Sequence, residues 1–280
     1  MSGFSADWLA LREPADARAR DACSGLLDAL PRCAAPATAA AHAGTVDAAA
    51  PLQVLDLGAG TGANFRYLQP RLRGAPHWTL ADHDRALLDV AVARAATTAR
   101  LATTVVDLAA ALESLAFPAG GLVTASALLD LVSGPWLARL ADRCRAARAQ
   151  VLFALTYDGR CTCRPTEPDD VKIIALVNRH QRTDKGFGPA LGPAAAHAAA
   201  AQFALRGYRV RRARSDWRID ASEPALQAAL LGGWAQAARA IEPAAGAQVD
   251  DWLERRRRHL ANGRSQLTVG HEDLAGWLTD

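Results

Sequence analysis

The segment Val54-Leu55-Asp56-Leu57-Gly58-Ala59-Gly60-Thr61-Gly62 constrains the fold of this chain more than any other. It begins as an apolar run typical of a buried strand, and three alternating glycines then open a segment with a helical pattern. Glycine has no Cβ, so the turn can adopt unusual dihedrals and let a ligand approach the backbone closely. The free N–H groups at the start of the helix suit a polar or anionic ligand group. The segment therefore predicts a strand, a turn and a helix around a nucleotide-type pocket.

From residue 52 onward, strand and helix patterns alternate, which predicts a parallel sheet covered by helices. Strands are predicted over 52–57, 78–81, 103–106, 122–126, 151–156, 208–219 and 265–270. Helices are predicted over 62–72, 85–96, 109–115, 135–147, 171–182 and 194–205, with a helical insertion over 223–262. The insertion has two candidate roles, a substrate lid and a dimer contact.

The region before the sheet is different in composition. Residues 8–30 have helical spacing, and residues 31–51 form a stretch rich in alanine and proline that is typical of a linker. We therefore expect two parts, an N-terminal helix with its linker over 1–50 and a domain over 51–280 whose insertion spans about 222–262.

The composition of the 280 residues argues against several classes of function. The net charge of +3 is too small to indicate a nucleic-acid partner, and the arginine run at 255–258 is interpreted as a solvated helix face. No segment approaches the roughly 20 apolar residues of a membrane span, and the N-terminus lacks a secretory signal, so we expect a cytoplasmic protein. The five scattered cysteines do not have the spacing of a metal site. The abundance of alanine and arginine indicates a bacterial-type bias of genome composition.

Three ligands compete for the glycine turn. A Walker-type phosphate loop needs a lysine followed by Ser or Thr, and the turn has none. A dinucleotide fingerprint remains open, since Gly58, Gly60 and Ala63 have its spacing. However, Asp56 would repel a pyrophosphate, whereas it would attract an ammonium or another cationic group.

The turn resembles the first motif of class I S-adenosylmethionine-dependent methyltransferases. The segment Trp78-Thr79-Leu80-Ala81-Asp82-His83-Asp84 resembles the second strand of that family, and Val105-Val106-Asp107-Leu108 resembles its third-strand motif. The resemblance is close over about 52–156. It implies a Rossmann-like, doubly wound α/β fold with a seven-stranded, mostly parallel sheet, and S-adenosyl-L-methionine as the cofactor.

The resemblance also implies roles for individual residues. Asp82 would bind the ribose hydroxyls, because a carboxylate can accept from both at once. Asp107 would bind the adenine amino group. Asp56 would face the methionine ammonium, directly or through water. Gly58, Gly60 and Gly62 would line the methionine part through their backbone, and His83 and Leu108 would flank the adenine. Ala59 and Ser126 complete the cofactor-binding candidates, with Ser126 where the reacting centre of this fold usually lies.

The acceptor is expected to be a small molecule. The segment after the fourth strand, residues 125–130, lacks the signature of amino-directed nucleic-acid methyltransferases. Asp130 lies either at the reacting centre or at the N-cap of the following helix, and the sequence leaves both open. Two other functions stay open, a nicotinamide-dependent Rossmann oxidoreductase and a non-catalytic S-adenosylmethionine-binding protein.

Polar residues that follow the later strands are the candidates for acceptor binding and catalysis. Tyr157, Arg182 and Lys185 are candidates for binding an acidic or polyhydroxylated acceptor. Asp130, His180 and His271 are the candidates for a general base, if the acceptor must lose a proton. Trp8, Glu13, Asp16 and Arg20 either close over the cofactor or form a surface ladder of charges. No metal is expected, and a homodimer is a candidate assembly.

Overall fold

The computed structural model describes residues 5–23, 25–31, 33, 51–97 and 99–279. These residues form one sheet in the order β3-β2-β1-β4-β5-β8-β6, with β7 paired to β8. The strands are β1 Gln53–Leu57, β2 His77–Asp82, β3 Arg100–Val105, β4 Leu122–Ser126, β5 Gln150–Arg164, β6 Tyr208–Arg214, β7 Trp217–Ile219 and β8 Gln266–Leu278. The helices are α1 Ala6–Asp21, α2 Gly25–Asp28, α3 Ala63–Leu68, α4 Arg85–Ala93, α5 Leu108–Ala111, α6 Gly134–Ala146, α7 Asp170–Gln181, α8 Ala195–Ala204, α9 Pro224–Ile241 and α10 Gly246–Ala261.

Strands β1 to β5 are parallel, and β8 runs antiparallel between β5 and β6. The chain moves outward from β1 to β2 and β3, then returns to place β4 on the other side of β1. This change of direction opens a crevice at the carboxyl ends of β1 and β4, where open α/β sheets bind ligands. The predicted Rossmann-like, doubly wound fold is confirmed.

The described sheet has eight strands instead of the seven expected. The predicted strand over 208–219 is divided at Ser215 and Asp216, which belong to neither β6 nor β7, although the Ser215 N–H still donates to the His271 carbonyl of β8 at 2.9 Å. β5 and β8 are also longer than expected, at 15 and 13 residues. The second half of β5 could not be predicted as a strand because it contains polar residues and Gly159. It pairs with β8 across two register shifts, which interrupt the regular alternation of a strand.

The helical insertion, α9 and α10, packs in one apolar cluster with residues of α1, α7, β5, β7 and β8. None of its described residues lines the cavity described below, so the structure does not support the lid interpretation. The interpretation of residues 255–258 as a solvated face is wrong at Arg256, which is fully buried. Its guanidinium is paired with Asp170 of α7 and also donates to the Pro165 carbonyl.

Helix α1 lies against the carboxyl edge of the sheet. It begins after Ser5, whose hydroxyl accepts from the Trp8 N–H at 3.2 Å, and it ends at Asp21, well before the predicted Leu30. Most of the predicted linker lies outside the described residues, at 34–50. Within the described part of the chain, no helix has both the length and the apolar character needed to cross a membrane.

Candidate ligand-binding site

A cavity of about 270 Å³ lies at the carboxyl ends of β1 to β4, under α1 and the loop that follows α7. Nine of the residues predicted from the sequence line it: Gly58, Ala59, Gly60, Asp82, His83, Asp107, Leu108, Ser126 and Lys185. The structure thus brings the glycine turn and the acids after β2 and β3 together around one space.

The N–H groups of the glycine turn are largely occupied by the protein itself. Gly58 and Ala59 donate to the Ala81 carbonyl at 2.8 and 3.2 Å, and Gly62 donates to the Ala59 carbonyl at 2.9 Å. Gly60 donates to Oδ2 of Asp82 at 2.8 Å. All three glycines of the turn have positive φ, which a residue with a Cβ adopts only with strain. The turn therefore offers close backbone approach but few free donors.

Gly62 has a packing role that the sequence did not reveal. It does not line the cavity, and a Cβ added there would lie 2.9 Å from the Cβ of Ala91 on α4. Gly62 is therefore required for the close approach of the glycine turn to α4.

Asp82 connects β2 to the glycine turn. Its Oδ1 accepts from the Asp84 N–H at 2.9 Å and lies 3.2 Å from Nδ1 of His83, while its Oδ2 accepts from Gly60. Each carboxylate oxygen has two lone pairs, and Asp82 lines the cavity, so the group can also accept from a ligand. Asp107 likewise lines the cavity, where it caps α5 through the Ala109 N–H at 2.9 Å.

Asp56 is fully buried and does not reach the cavity wall. Nδ2 of Asn64 donates to Oδ1 of Asp56 at 2.6 Å and to the Thr124 hydroxyl at 3.1 Å, and the Arg20 guanidinium donates to Oδ1 of Asn64 at 2.9 Å. Burial raises the pKa of Asp56 to about 7, although the Asn64 hydrogen bond and the Arg20 charge act in the opposite direction. Oδ2 of Asp56 has no hydrogen-bond partner.

A second cavity of about 250 Å³ adjoins the first between α1 and α3. The two cavities share Asp16, Ala63, Asn64 and Ser126. Arg20 lines the second cavity and is 4% exposed, and its Nε has no hydrogen-bond partner. Burial lowers the pKa of Arg20, whereas the nearby carboxylates raise it. An anionic ligand group in this cavity would likewise favour the charged guanidinium.

Helix α1 forms the roof of the main cavity through Leu9, Arg12 and Asp16. Arg12 and Asp16 form a two-point ion pair at 3.0 and 3.1 Å, and the Arg12 guanidinium also lies 4.9 Å from the ring centre of Trp217. Sequence reasoning named Asp16 but missed Arg12, whose position four residues earlier on the helix is a recognisable signal. It also missed Asn64, for which the sequence offers no signal beyond its place in the first turn of α3.

The backbone after β4 supplies the wall beside Ser126. Ala127 has a φ of +52°, and its N–H donates to the Ala154 carbonyl at 2.9 Å. This left-handed residue turns the chain so that Ala127, Leu128 and Leu131 line the cavity. A strained non-glycine residue at a cavity wall is typical of binding sites.

The structure does not bring the three predicted bases to the wall of the cavity. Asp130 is 6% exposed with an unpartnered Oδ1, and burial raises its pKa to about 6. Ser133 caps α6, so the alternative role of Asp130 as that cap is excluded. His271 lies between the rings of Tyr157 and Trp217, where burial lowers its pKa to about 3.

His180 and the three acceptor-binding candidates lie around the loop after α7, and only Lys185 lines the cavity. Nζ of Lys185 lies 3.4 Å from Nδ1 of His180, whose pKa is lowered by burial and by the lysine charge. The Tyr157 hydroxyl donates to Oδ1 of Asn178 at 2.7 Å. Arg182 donates to the Asn178 carbonyl at 3.2 Å, away from the cavity.

No protein-family model matches this chain, and no curated protein sequence does. Among solved structures, the cyclopropane synthase MmaA2 from Mycobacterium tuberculosis has a TM-score of 0.42 at 13% identity, covering 80% of this chain and 78% of that chain. The YcgJ protein from Bacillus subtilis has a TM-score of 0.46 at 13% identity, covering 82% and 93%. Geranyl diphosphate C-methyltransferase from Streptomyces coelicolor A3(2) has a TM-score of 0.48 at 12% identity, covering 93% and 79%. These likenesses are distant, so the functional inference depends on the residues of the site.

Proposed function

We propose that this protein is a class I S-adenosylmethionine-dependent methyltransferase that acts on a small molecule. The observation that carries the proposal is that the N–H groups of the glycine turn already donate hydrogen bonds within the protein. The Asp82 carboxylate accepts from the Gly60 N–H, and backbone carbonyl oxygens accept from the N–H groups of Gly58, Ala59 and Gly62. A turn with its donors used and a carboxylate bound to it disfavours a pyrophosphate and favours a nucleoside without phosphates.

The polar residues of the site match the parts of S-adenosylmethionine. Asp82 suits the ribose diol and Asp107 suits an amino group on the base, because ionised carboxylates accept hydrogen bonds. The second cavity suits the carboxylate of the amino-acid end of the cofactor, since the buried Arg20 guanidinium lines it. Asp56 lies behind Asn64 and acts on a ligand ammonium through its charge or through water.

The cofactor supplies an electrophilic methyl group, so the main task of the protein is to position the acceptor in line with the carbon–sulfur bond. When held by Asp82, Asp107 and the glycine turn, the cofactor would give its methyl carbon to an electron pair of the acceptor, and sulfur would keep the electrons of the broken carbon–sulfur bond. Ser126, Ala127 and Leu128 border the space beside the glycine turn and restrict where an acceptor can lie. No predicted base lies at the wall, and the geometry therefore favours catalysis by positioning.

Calorimetric titration with S-adenosylhomocysteine, S-adenosylmethionine and NAD⁺ tests the cofactor. We expect saturable binding of the first two and none of NAD⁺. Binding of NAD⁺ alone would contradict the proposal and favour an oxidoreductase. Incubation with methyl-labelled S-adenosylmethionine and small metabolites then separates an enzyme from a non-catalytic binding protein, which would bind the cofactor but label nothing.

A further inference from the structure

The loop after α7 is built to present two side chains to the cavity. The carboxylate of Asp184 accepts from the N–H groups of Gly186 and Gly188 at 2.6 and 3.0 Å, and Asp184 also forms a β-bridge with Pro189. These contacts close a short loop whose alternate residues, Lys185 and Phe187, both line the cavity. The loop is thus a formed structure, and the two side chains are held on one wall.

Lys185 differs from the other basic side chains that line the cavity, Arg12 and His83. Arg12 is paired with Asp16, and His83 lies beside Asp82. Among the residues that the structure describes, no carboxylate oxygen lies within 4.0 Å of Nζ of Lys185, which donates to the Thr183 hydroxyl at 2.9 Å. Its pKa is lowered by burial, and the more distant charge of Asp130 offsets this only in part. An ammonium that is partly removed from water without a paired anion favours an anionic ligand group.

Phe187 provides the apolar neighbour of this charge. Its ring packs edge-on against Trp136 with the ring centres 5.2 Å apart, so its position is fixed from behind. Leu128 and Leu131 line the same cavity. A ligand that reaches Lys185 therefore also meets apolar side chains, which a small, fully hydrated ion would not use.

We propose that the methyl acceptor is an organic anion whose acidic group is bound by Lys185 and whose apolar part lies against Phe187. This inference rests on the proposed methyltransferase function. It assigns Lys185 the role of selecting acidic acceptors, and it applies to carboxylates and phosphate esters alike because an ammonium recognises both as a point charge.

Fractionation of a small-molecule extract tests the acceptor class. The extract is divided on an anion-exchange resin, and each fraction is incubated with the protein and methyl-labelled S-adenosylmethionine. We expect the labelled product from the retained, anionic fraction, and phosphatase treatment distinguishes phosphate esters from carboxylates. Acceptor activity confined to unretained molecules would overturn the inference while leaving the methyltransferase function intact. Cofactor binding with no labelled product in any fraction would overturn the proposed function and this inference with it.

The two lysines of the chain give a matched pair of variants. With the active fraction, Lys185→Gln should raise the KM for the acceptor about tenfold or more, the usual effect of losing a hydrogen bond to a charged group. Lys172→Gln should not, because Lys172 pairs with Glu242 and Gln248 away from the cavity. Affinity for S-adenosylhomocysteine should stay similar in both variants. Equal acceptor KM values in the two variants would contradict the role of Lys185.

Nuclear magnetic resonance with ¹³C-labelled lysine gives a readout independent of turnover. The spectrum should contain two lysine Cε signals, because the chain has two lysines. Saturation with the anionic acceptor and S-adenosylhomocysteine should raise the pKa of Lys185, since an adjacent anion favours the charged ammonium, while the Lys172 signal serves as the reference within the same spectrum. An unchanged titration of Lys185 would overturn the proposed contact.

Discussion

The carboxylates of Asp82 and Asp84 lie two residues apart and have different partners. Asp82 binds the glycine turn and lines the cavity, whereas Asp84 caps α4 by accepting from the N–H groups of Ala86 and Leu87. One acid thus connects two loops at the site, and the other stabilises a helix. Removing each in turn separates ligand binding from helix stability.

Asp82→Ala should weaken binding of S-adenosylhomocysteine tenfold or more, because hydrogen bonds to a charged group contribute about 1.5–3 kcal/mol. Asp84→Ala is the matched control. It should lower the free energy of unfolding by about 1 kcal/mol through loss of the cap, with little change in affinity. Calorimetric titration and urea unfolding of both variants measure the two effects. An unchanged affinity in Asp82→Ala would show that the ribose assignment is wrong.

The acids that follow strands could be predicted from the sequence, because each ends an apolar run and parallel strands end at the same edge. Contacts between distant segments could not be predicted this way. Arg20 and Asn64 are 44 residues apart, and nothing local marks Arg20 as buried. The same limit applies to Asp130 and His271, whose side chains turn away from the cavity in a way that depends on the packing of β5 and β8.

At the scale of elements, the side chain of Arg66 connects α1 to the glycine turn. Glu13 of α1 accepts from Nε and Nη2 of Arg66 at 2.8 and 2.7 Å, and Nη1 of Arg66 donates to the Thr61 carbonyl at 2.6 Å. The roof and the turn are therefore connected by one guanidinium. Loosening this connection should affect how long a ligand stays in the cavity.

Glu13→Gln should weaken S-adenosylhomocysteine binding by a few fold, mainly through faster dissociation, because a partly exposed ion pair contributes about 1 kcal/mol or less. Arg18→Gln serves as control, since Arg18 pairs α1 with Glu223 outside the cavity and half of its side chain is exposed. Stopped-flow dissociation rates should differ between the two variants. Equal rates would mean that the contact with Arg66 does not restrain the roof.

A different ion pair holds the helical insertion to the rest of the protein. Arg256 of α10 and Trp252 both donate to Asp170 at the start of α7, and Arg256 is fully buried. A buried ion pair has a large desolvation cost, and removal of one partner leaves the other unpaired. The insertion is therefore expected to depend on this contact.

Arg256→Gln should lower the free energy of unfolding by about 3–5 kcal/mol, since Asp170 would remain buried without its partner. Arg258→Gln, two positions away on the exposed side of α10, should change it by less than about 0.5 kcal/mol. Urea unfolding compares the two. If both variants retain affinity for S-adenosylhomocysteine while only Arg256→Gln is unstable, the insertion supports the fold without contacting the ligand.

At the scale of the whole molecule, buried titratable groups make stability depend on pH in opposite directions. Burial raises the pKa of Asp56 to about 7 and that of Asp130 to about 6, so ionising these carboxyls lowers stability as pH rises from about 4 toward those values. Burial lowers the pKa of His271 to about 3. The stability that comes from keeping this imidazole neutral is complete above its unfolded value of 6.5 and is lost as pH falls toward 3.

His271→Gln should therefore reduce the loss of stability on acidification between about pH 6.5 and 4, because glutamine does not bind a proton there. The test is the slope of the free energy of unfolding against pH. The substitution also changes packing against Tyr157 and Trp217, which shifts the free energy of unfolding at every pH. His197→Gln, at an exposed histidine of α8, controls for replacing a histidine by glutamine elsewhere in the protein. Urea unfolding at several pH values measures both. Parallel slopes in all three proteins would exclude His271 as the source.

The parallel half of the sheet could be predicted because each strand and helix carries its own hydrophobic pattern. The antiparallel half was less accessible to this reasoning. The second half of β5 is polar and has the sequence pattern of a loop, and the segment over 208–219 carries no signal for the break at Ser215 and Asp216. Such features arise from pairing between strands that are distant in the sequence. The hydrophobic periodicity of a single segment carries no information about such pairing.

The position of β8 has a consequence for synthesis. The ribosome makes β8 after every other described strand, yet β8 is inserted between β5 and β6, and its Asp273 binds the Leu155 N–H of β5 and the Cys23 thiol beyond α1. Among the described strands, a nascent chain that has emerged only through α10 thus has one unpaired edge on β5 and no partner strand for β6 or β7. Such edges are open to pairing with other chains. The growing polypeptide should therefore need protection by chaperones until β8 has left the ribosome, and we expect the cavity to bind a ligand only after that moment.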